Sequence, residues 1–230
     1  MNDIKTVLIT GATGGLGRSI ADDFYEKEFH LILTGTNDSK LDALRSKFDR
    51  NTKVIKCNLA KASEINNLSD KIKPSSIDIL INNAGTLINK PFNETSFEDF
   101  QYVYKVNVFG VAELIRQLIS RFKTKSHVVN ISSIGGIGGS SKFPGLSAYS
   151  SSKGALNILT EMLAEEFKDK GISFNTLALG AVQTEMLEEA FPGYKANISS
   201  SEMANFIYKF SLEGNNFFNG KIIPVSNTNP

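Results

Sequence analysis

Short apolar runs, several of them almost wholly apolar, alternate along this chain with longer amphipathic stretches. That alternation leaves few folds open. The runs lie at 5–10, 30–34, 53–57, 77–82, 126–132, 172–178 and 221–225. Between them, helical periodicity covers about 16–28, 38–49, 61–72, 95–122, 147–169, 183–190 and 200–212. Strands without a polar face must be covered on both sides. Strand–helix–strand alternation in turn demands right-handed crossovers and a parallel sheet. The pattern predicts an α/β, Rossmann-type doubly wound parallel sheet of about seven strands with helices on both faces. No linker, charge run or repeat divides the sequence, so residues 1–230 are expected to form one domain.

The first strand ends in Thr10-Gly11-Ala12-Thr13-Gly14-Gly15-Leu16-Gly17, and a helix follows. Gly11 permits a tight turn, Gly15 removes a Cβ where backbone must approach a pyrophosphate, and Gly17 lets the helix pack close to the sheet. The helix N-terminus then offers unpaired N–H groups and a positive dipole end to phosphates. A glycine-rich turn needed only for packing is the plainer reading. Its position between first strand and first helix favours dinucleotide binding, and the single domain is expected to carry both cofactor and substrate sites.

Composition excludes more than it suggests. The net charge of +1 gives no reason to expect nucleic acid or an anionic membrane as partner. The lone Cys57 and the two distant histidines, His30 and His127, offer neither an internal disulfide nor metal-ligand spacing, so no metal is expected. No apolar run approaches the ~20 residues that span a bilayer. Met1-Asn2-Asp3 leads directly into a strand rather than a signal peptide. A cytoplasmic protein is expected.

The GxxxGxG spacing preceded by Thr resembles the short-chain dehydrogenase/reductase family. Further motifs follow in the same order: Asn82-Asn83-Ala84-Gly85, Asn107 within Val-Asn-Val-Phe-Gly, Ser132-Ser133 closing the fifth strand, and Tyr149-Ser150-Ser151-Ser152-Lys153 matching YxxxK. The resemblance implies hydride transfer between nicotinamide and a carbonyl or alcohol, with Ser133, Tyr149, Lys153 and Asn107 as the catalytic set. Physical chemistry supports the assignment. Residues four apart share a helix face, so the Lys153 ammonium should pull the Tyr149 phenol from about 10 towards neutrality. Ser133 stands at the carboxyl edge of the sheet, where it can orient a substrate oxygen. Its neighbour Ser132 is hard to tell apart by strand alternation, and the family pattern favours Ser133. Asn107 is a polar residue in an apolar helical stretch and needs a partner. The resemblance implies that it holds a water linking Lys153 to solvent; bonding to a nearby backbone group, with a bent helix, is the other reading.

For the nucleotide, the resemblance implies contacts from Thr10, Gly11, Thr13, Gly15, Leu16 and Gly17 in the first turn. It implies others from Thr36 and Asn37 after the second strand, and from Asn58 and Leu59 after the third. Asn83, Ala84 and Gly85 follow the fourth strand, and Tyr149, Lys153, Gly180, Val182 and Thr184 complete the set. An NAD site usually carries a carboxylate at the end of the second strand. Here that strand ends Leu33-Thr34-Gly35-Thr36-Asn37. Asp38 comes late and reads as a helix N-cap. The missing carboxylate favours NADP(H) over NAD(H), with Lys40 as a charge partner for the 2′-phosphate.

The chain also departs from the family pattern. Ser133 and Tyr149 lie 16 positions apart, about three more than usual, which enlarges the loop 134–147 beside the site. Leu179-Gly180 replaces the family's Pro-Gly. The apolar segment Met186, Leu187, Phe191, Pro192, Gly193, Tyr194 suggests a modest, partly hydrophobic substrate. The overall plan and the missing carboxylate resemble the 3-oxoacyl-thioester reductases, and a small ketone or aldehyde is an equal expectation. The polar tail after Ser226 lacks the usual acidic-Gly-Gly ending, in a region where relatives make subunit contacts; a homodimer or homotetramer is expected. The alternative to an enzyme is a catalytically inactive NAD(P)-binding sensor, a class that typically loses the Tyr or the Lys. An epimerase would need a longer C-terminal substrate portion than the 46 residues after Thr184.

Overall fold

In the computed structural model, which describes residues 4–73 and 75–227, nine strands and eight α-helices follow one another in the expected alternation. They are β1 (Thr6–Ile9), α1 (Gly15–Glu26), β2 (His30–Gly35), α2 (Asp38–Lys47), β3 (Thr52–Lys56), α3 (Ala62–Lys71), β4 (Ile77–Asn82), α4 (Phe97–Tyr104) and α5 (Gly110–Leu118). Then come β5 (Phe122–Ser133), α6 (Ser147–Glu166), β6 (Ser173–Leu179), β7 (Val182–Gln183), α7 (Glu185–Ala190), β8 (Ile198–Ser199), α8 (Ser200–Glu213) and β9 (Lys221–Val225). Seven strands form one parallel sheet in the order β3-β2-β1-β4-β5-β6-β9, and β7 with β8 makes a small separate ribbon.

Strand alternation explains why the sheet is covered twice. Val7, Ile9, Leu31, Leu33, Ile79, Ile81 and Val129 point into one apolar layer with α1, α2 and α8. Leu8, Ile32, Leu80 and Val128 point to the other, with α3, α5 and α6. The chain winds outward in both directions from β1 and β4. Their carboxyl ends therefore open a crevice at the switch point, where ligands of such sheets bind.

Three boundaries differ from expectation, each for a local reason. Asn37, not Asp38, caps α2: its extended backbone lets Oδ1 accept from the Lys40 N–H at 2.9 Å. Asp38 becomes the first helical residue and pairs with Lys56 at 2.6 Å. The long helix expected over 95–122 is interrupted by a π turn at Lys105–Phe109. Its entry is set by a capping box between Ser96 and Asp99. Finally, β5 begins at Phe122 rather than 126, because its register against β4 shifts between Ile77 and Ile79. Lys125 takes a left-handed φ of 73° there, and the Ser126 hydroxyl accepts from the Lys123 N–H at 2.8 Å. The tail read as polar runs into 228–230, outside the described residues.

Candidate active site and nucleotide crevice

The glycine turn is built as its spacing demands. Gly11 has φ of 67°, and a Cβ there would lie 2.8 Å from Ala84 Cα. A Cβ on Gly17 would lie 2.3 Å from Gly11 O and 2.6 Å from Asn83 Nδ2. Both positions are closed by the protein's own backbone. Gly15 differs: a Cβ there would meet only Ser200 Oγ, at 3.5 Å, so internal packing does not demand glycine. The first turn of α1 has neither a side-chain cap nor an acidic residue, leaving its N–H groups for an anion. These features fit a dinucleotide pyrophosphate.

Substituting Gly17→Ala should therefore push α1 off the turn. We expect a loss of about 1–3 kcal/mol from overpacking, read by chemical denaturation, and dinucleotide affinity weakened about tenfold or more. Gly14→Ala, whose Cβ would meet only Gly11 O at 3.7 Å, serves as the tolerated control.

Several nucleotide candidates turn out to brace the turn through their side chains. Thr10 is fully buried, and its Oγ1 accepts from the Ala84 N–H at 3.0 Å. Asn83 Nδ2 donates to the carbonyls of Thr10 and Gly11 at 3.1 and 3.2 Å. The Thr13 side chain lies over Gly35, where a Cβ would come within 2.5 Å of it. Leu16, Leu59 and Val182 bury their side chains in the core, so only their backbone can face a ligand. Asn58 Oδ1 is turned back onto the Ala60 N–H at 2.9 Å. Thr184 Oγ1 caps α7, accepting from the Leu187 N–H at 3.2 Å. Thr36 is exposed, and Asn37 spends its oxygen on the α2 cap.

The candidate catalytic residues converge from four parts of the chain. The Ser133 hydroxyl lies close enough to the Tyr149 hydroxyl to act on its pKa, and it accepts from the Gly135 N–H at 3.2 Å. Ser132 is buried and bonds the Lys153 carbonyl at 3.2 Å, so the two serines separate cleanly. Tyr149 is the third residue of α6. Lys153, one turn on, is buried, with Nζ donating to the Ile131 carbonyl at 2.8 Å and lying 5.7 Å from the Tyr149 ring centroid. Gly85 joins the NNAG element to this group: a Cβ on it would lie 3.4 Å from both Lys153 Nζ and Asn107 Oδ1.

Asn107 is completely buried in the π turn. Its Oδ1 accepts from the Thr86 N–H at 2.8 Å, and its Nδ2 donates to the Thr86 carbonyl and Ser152 Oγ, each at 3.0 Å. The Ser152 hydroxyl in turn donates to the Tyr149 carbonyl at 2.7 Å. The side chain is thus a strut between the β4–α4 segment and α6, in a distorted helix. Thr86 and Ser152 were not among the sequence candidates. Ser152 could have been noticed from helical spacing, since it shares a buried face with Ala148, Leu156 and Lys153. Thr86 contributes through its backbone, which leaves no side-chain signal.

The electrostatics correct one expectation. Tyr149 is not pulled towards neutrality by the protein's own groups. Burial pushes it up to about 12, outweighing the downward effect of the Ser133 hydroxyl. The Lys153 ammonium is turned to the Ile131 carbonyl rather than the phenol, and burial lowers Lys153 to about 8. Both shifts favour the uncharged form in a desolvated site.

The enlarged loop after Ser133 is tied down. The Ser140 hydroxyl bonds the carbonyl of Ile134 at 2.5 Å, Lys142 Nζ donates to the Ile137 carbonyl at 2.7 Å, and the Lys90 N–H donates to Gly145 O at 3.0 Å. The loop leaves Phe143 exposed.

Comparison with known proteins agrees with this geometry. Residues 5–195 match the family model described as short chain dehydrogenase. The 3-oxoacyl-(acyl-carrier-protein) reductase FabG of Rickettsia bellii is 34% identical over 187 residues, covering 80% of this chain and 76% of that protein. The protein of the same name from Aquifex aeolicus is 32% identical, covering 96% of each chain. A solved 4-hydroxyisoleucine dehydrogenase complexed with NADH superposes with a TM-score of 0.86 at 28% identity, covering 96% of this chain and 97% of its own. This chain belongs to the short-chain dehydrogenase family and is an NAD(P)-dependent oxidoreductase acting between carbonyl and alcohol.

Proposed function

We propose that the enzyme reduces a 3-oxoacyl thioester or a ketone of similar size, with NADPH as the preferred coenzyme. The observation that carries the reading is the Ser133–Tyr149 hydroxyl pair at the carboxyl edge of β5, backed by Lys153. The bound nicotinamide supplies the hydride. Ser133 orients the substrate oxygen and Tyr149 delivers the proton to it. A phenol pushed up to about 12 is protonated at neutral pH, which suits a proton donor and hence carbonyl reduction. Lys153 recharges the site with protons, and the π turn around Asn107 supports a relay to solvent, since such a turn leaves backbone carbonyls without their regular helical partners.

The substrate class rests on two supports. The curated relatives above act on a 3-oxoacyl thioester by name. Phe143, Met186 and Tyr194 also offer exposed apolar surface on the segments flanking the site. The coenzyme reading rests on the end of β2, where Thr36 and Asn37 stand in place of a carboxylate and Lys40 lies in the first turn of α2. One domain would hold both sites. No helix among the described residues is long and apolar enough to cross a membrane; we place the enzyme in the cytoplasm as a homodimer or homotetramer.

The test is a panel of 3-oxoacyl thioesters, small ketones and aldehydes, each run with NADPH and with NADH. Thioesters should give the highest kcat/KM, and NADPH the lower KM. Turnover confined to small aldehydes, or a clear NADH preference, overturns the corresponding half of the proposal.

A further inference from the structure

Helix α7, which carries Met186 and Leu187 of the apolar segment expected to face substrate and so is treated as a lid, is fastened at both ends by polar contacts rather than by packing. None of its six residues is buried. At its carboxyl end the Ala190 carbonyl accepts from Asn89 Nδ2 at 2.8 Å. At its amino end Glu185 Oε2 meets Lys40 Nζ at 2.6 Å. The second contact spans an unusual distance. Lys40 belongs to α2, which follows β2, whereas Glu185 follows β6 and the short β7. In the sheet order, β2 and β6 stand four interstrand steps apart, roughly 19 Å. The pair therefore joins segments from opposite sides of the β1–β4 switch point, whose crevice the glycine turn lines.

The charges around Lys40 sharpen the point. The other lysine near the end of β2, Lys56, is paired with Asp38 on the first turn of α2. The amino terminus of α2 thus carries two ion pairs, Lys56–Asp38 and Lys40–Glu185. Of these two lysines, Lys40 alone has its counter-charge on the lid.

Building on the coenzyme reading above, we infer that Glu185 is a coenzyme-selecting residue: it neutralises Lys40 from the lid, and a 2′-phosphate at the end of β2 competes with it for that ammonium. NADP(H) then unfastens the amino end of α7, while NAD(H), lacking the phosphate, leaves it tied. Coenzyme choice and lid freedom become one equilibrium. Lys40 and Glu185 are both largely exposed, and exposed pairs shift equilibria only by a few-fold. The selection is accordingly modest.

The experiment is calorimetric titration of the full chain with NADPH and with NADH, which needs no turnover. Glu185→Gln should tighten NADPH by about three- to fivefold while moving NADH less than about twofold. Lys40→Met, which keeps the stem, should weaken NADPH by a similar factor. In the double variant, the gain from Glu185→Gln should vanish. Amide exchange across 185–190 should be faster with NADPH bound than with NADH. An unchanged NADPH/NADH ratio in Glu185→Gln overturns the inference, as does a gain that persists in the Lys40→Met background, which would mark a general field effect. Failure of the unaltered protein to bind either dinucleotide would instead overturn the coenzyme reading on which the inference rests.

Discussion

Tyr149→Phe should lower kcat by about 10²–10⁴-fold while leaving the dissociation constant for NADPH within about twofold of the unaltered protein. The substitution removes one oxygen and keeps the ring that packs at the start of α6. What is lost is the hydroxyl beside Ser133, and with it the group proposed to give its proton to a substrate oxygen. KM for the carbonyl substrate should change little, since the loss falls on the transition state. Steady-state kinetics on a verified substrate, together with a nucleotide titration, decides the matter. Retention of full turnover would remove Tyr149 from the mechanism, and lost nucleotide binding would make its role structural.

The second large effect lies far from the chemistry. His127 is buried in β5, with Nδ1 3.0 Å from the Ser211 carbonyl and Nε2 3.0 Å from Asn175 Nδ2. That arrangement suits a neutral ring, which donates from Nδ1 and accepts at Nε2. Burial lowers its pKa from 6.5 to about 4, against the smaller upward effect of the Ser211 carbonyl. The unfolded chain therefore binds a proton near pH 6.5 that the native protein refuses until about pH 4. The resulting stability is fully present above pH 6.5 and is lost as pH falls towards 4. The gap between these values corresponds to about 3 kcal/mol. Urea midpoints measured from pH 7 down to 4 should fall accordingly, and more steeply than in a His127→Gln variant. Should that variant fail to fold, the His127 ring signal in the unaltered protein settles the question by NMR, since titration near the ordinary value would contradict the argument.

The fold was legible because its signal is periodic. Seven apolar runs with intervening helical patterns map onto the seven-stranded sheet, since strands covered on both faces are built mainly of apolar residues. The glycines were legible for a steric reason: Gly11 and Gly17 sit where another side chain has no room. Boundaries were less so. The split of the 95–122 helix depends on Asn107 finding Thr86 and Ser152, partners 21 and 45 positions away, and no local propensity reports such a bond. Asp38 and Asn37 compete for one cap, and the competition is decided by which residue the β2 exit leaves in extended backbone.

By itself the sequence determined the sheet, the glycine turn and the candidate hydroxyl, phenol and amine, because each is written in residue type and short-range spacing. Only the tertiary structure decided which serine meets Tyr149, that Lys153 turns to a carbonyl instead of the phenol, and that Lys40 is held by a carboxylate 145 positions away. Those outcomes depend on desolvation and on distances between remote segments, and neither quantity exists until the chain has packed.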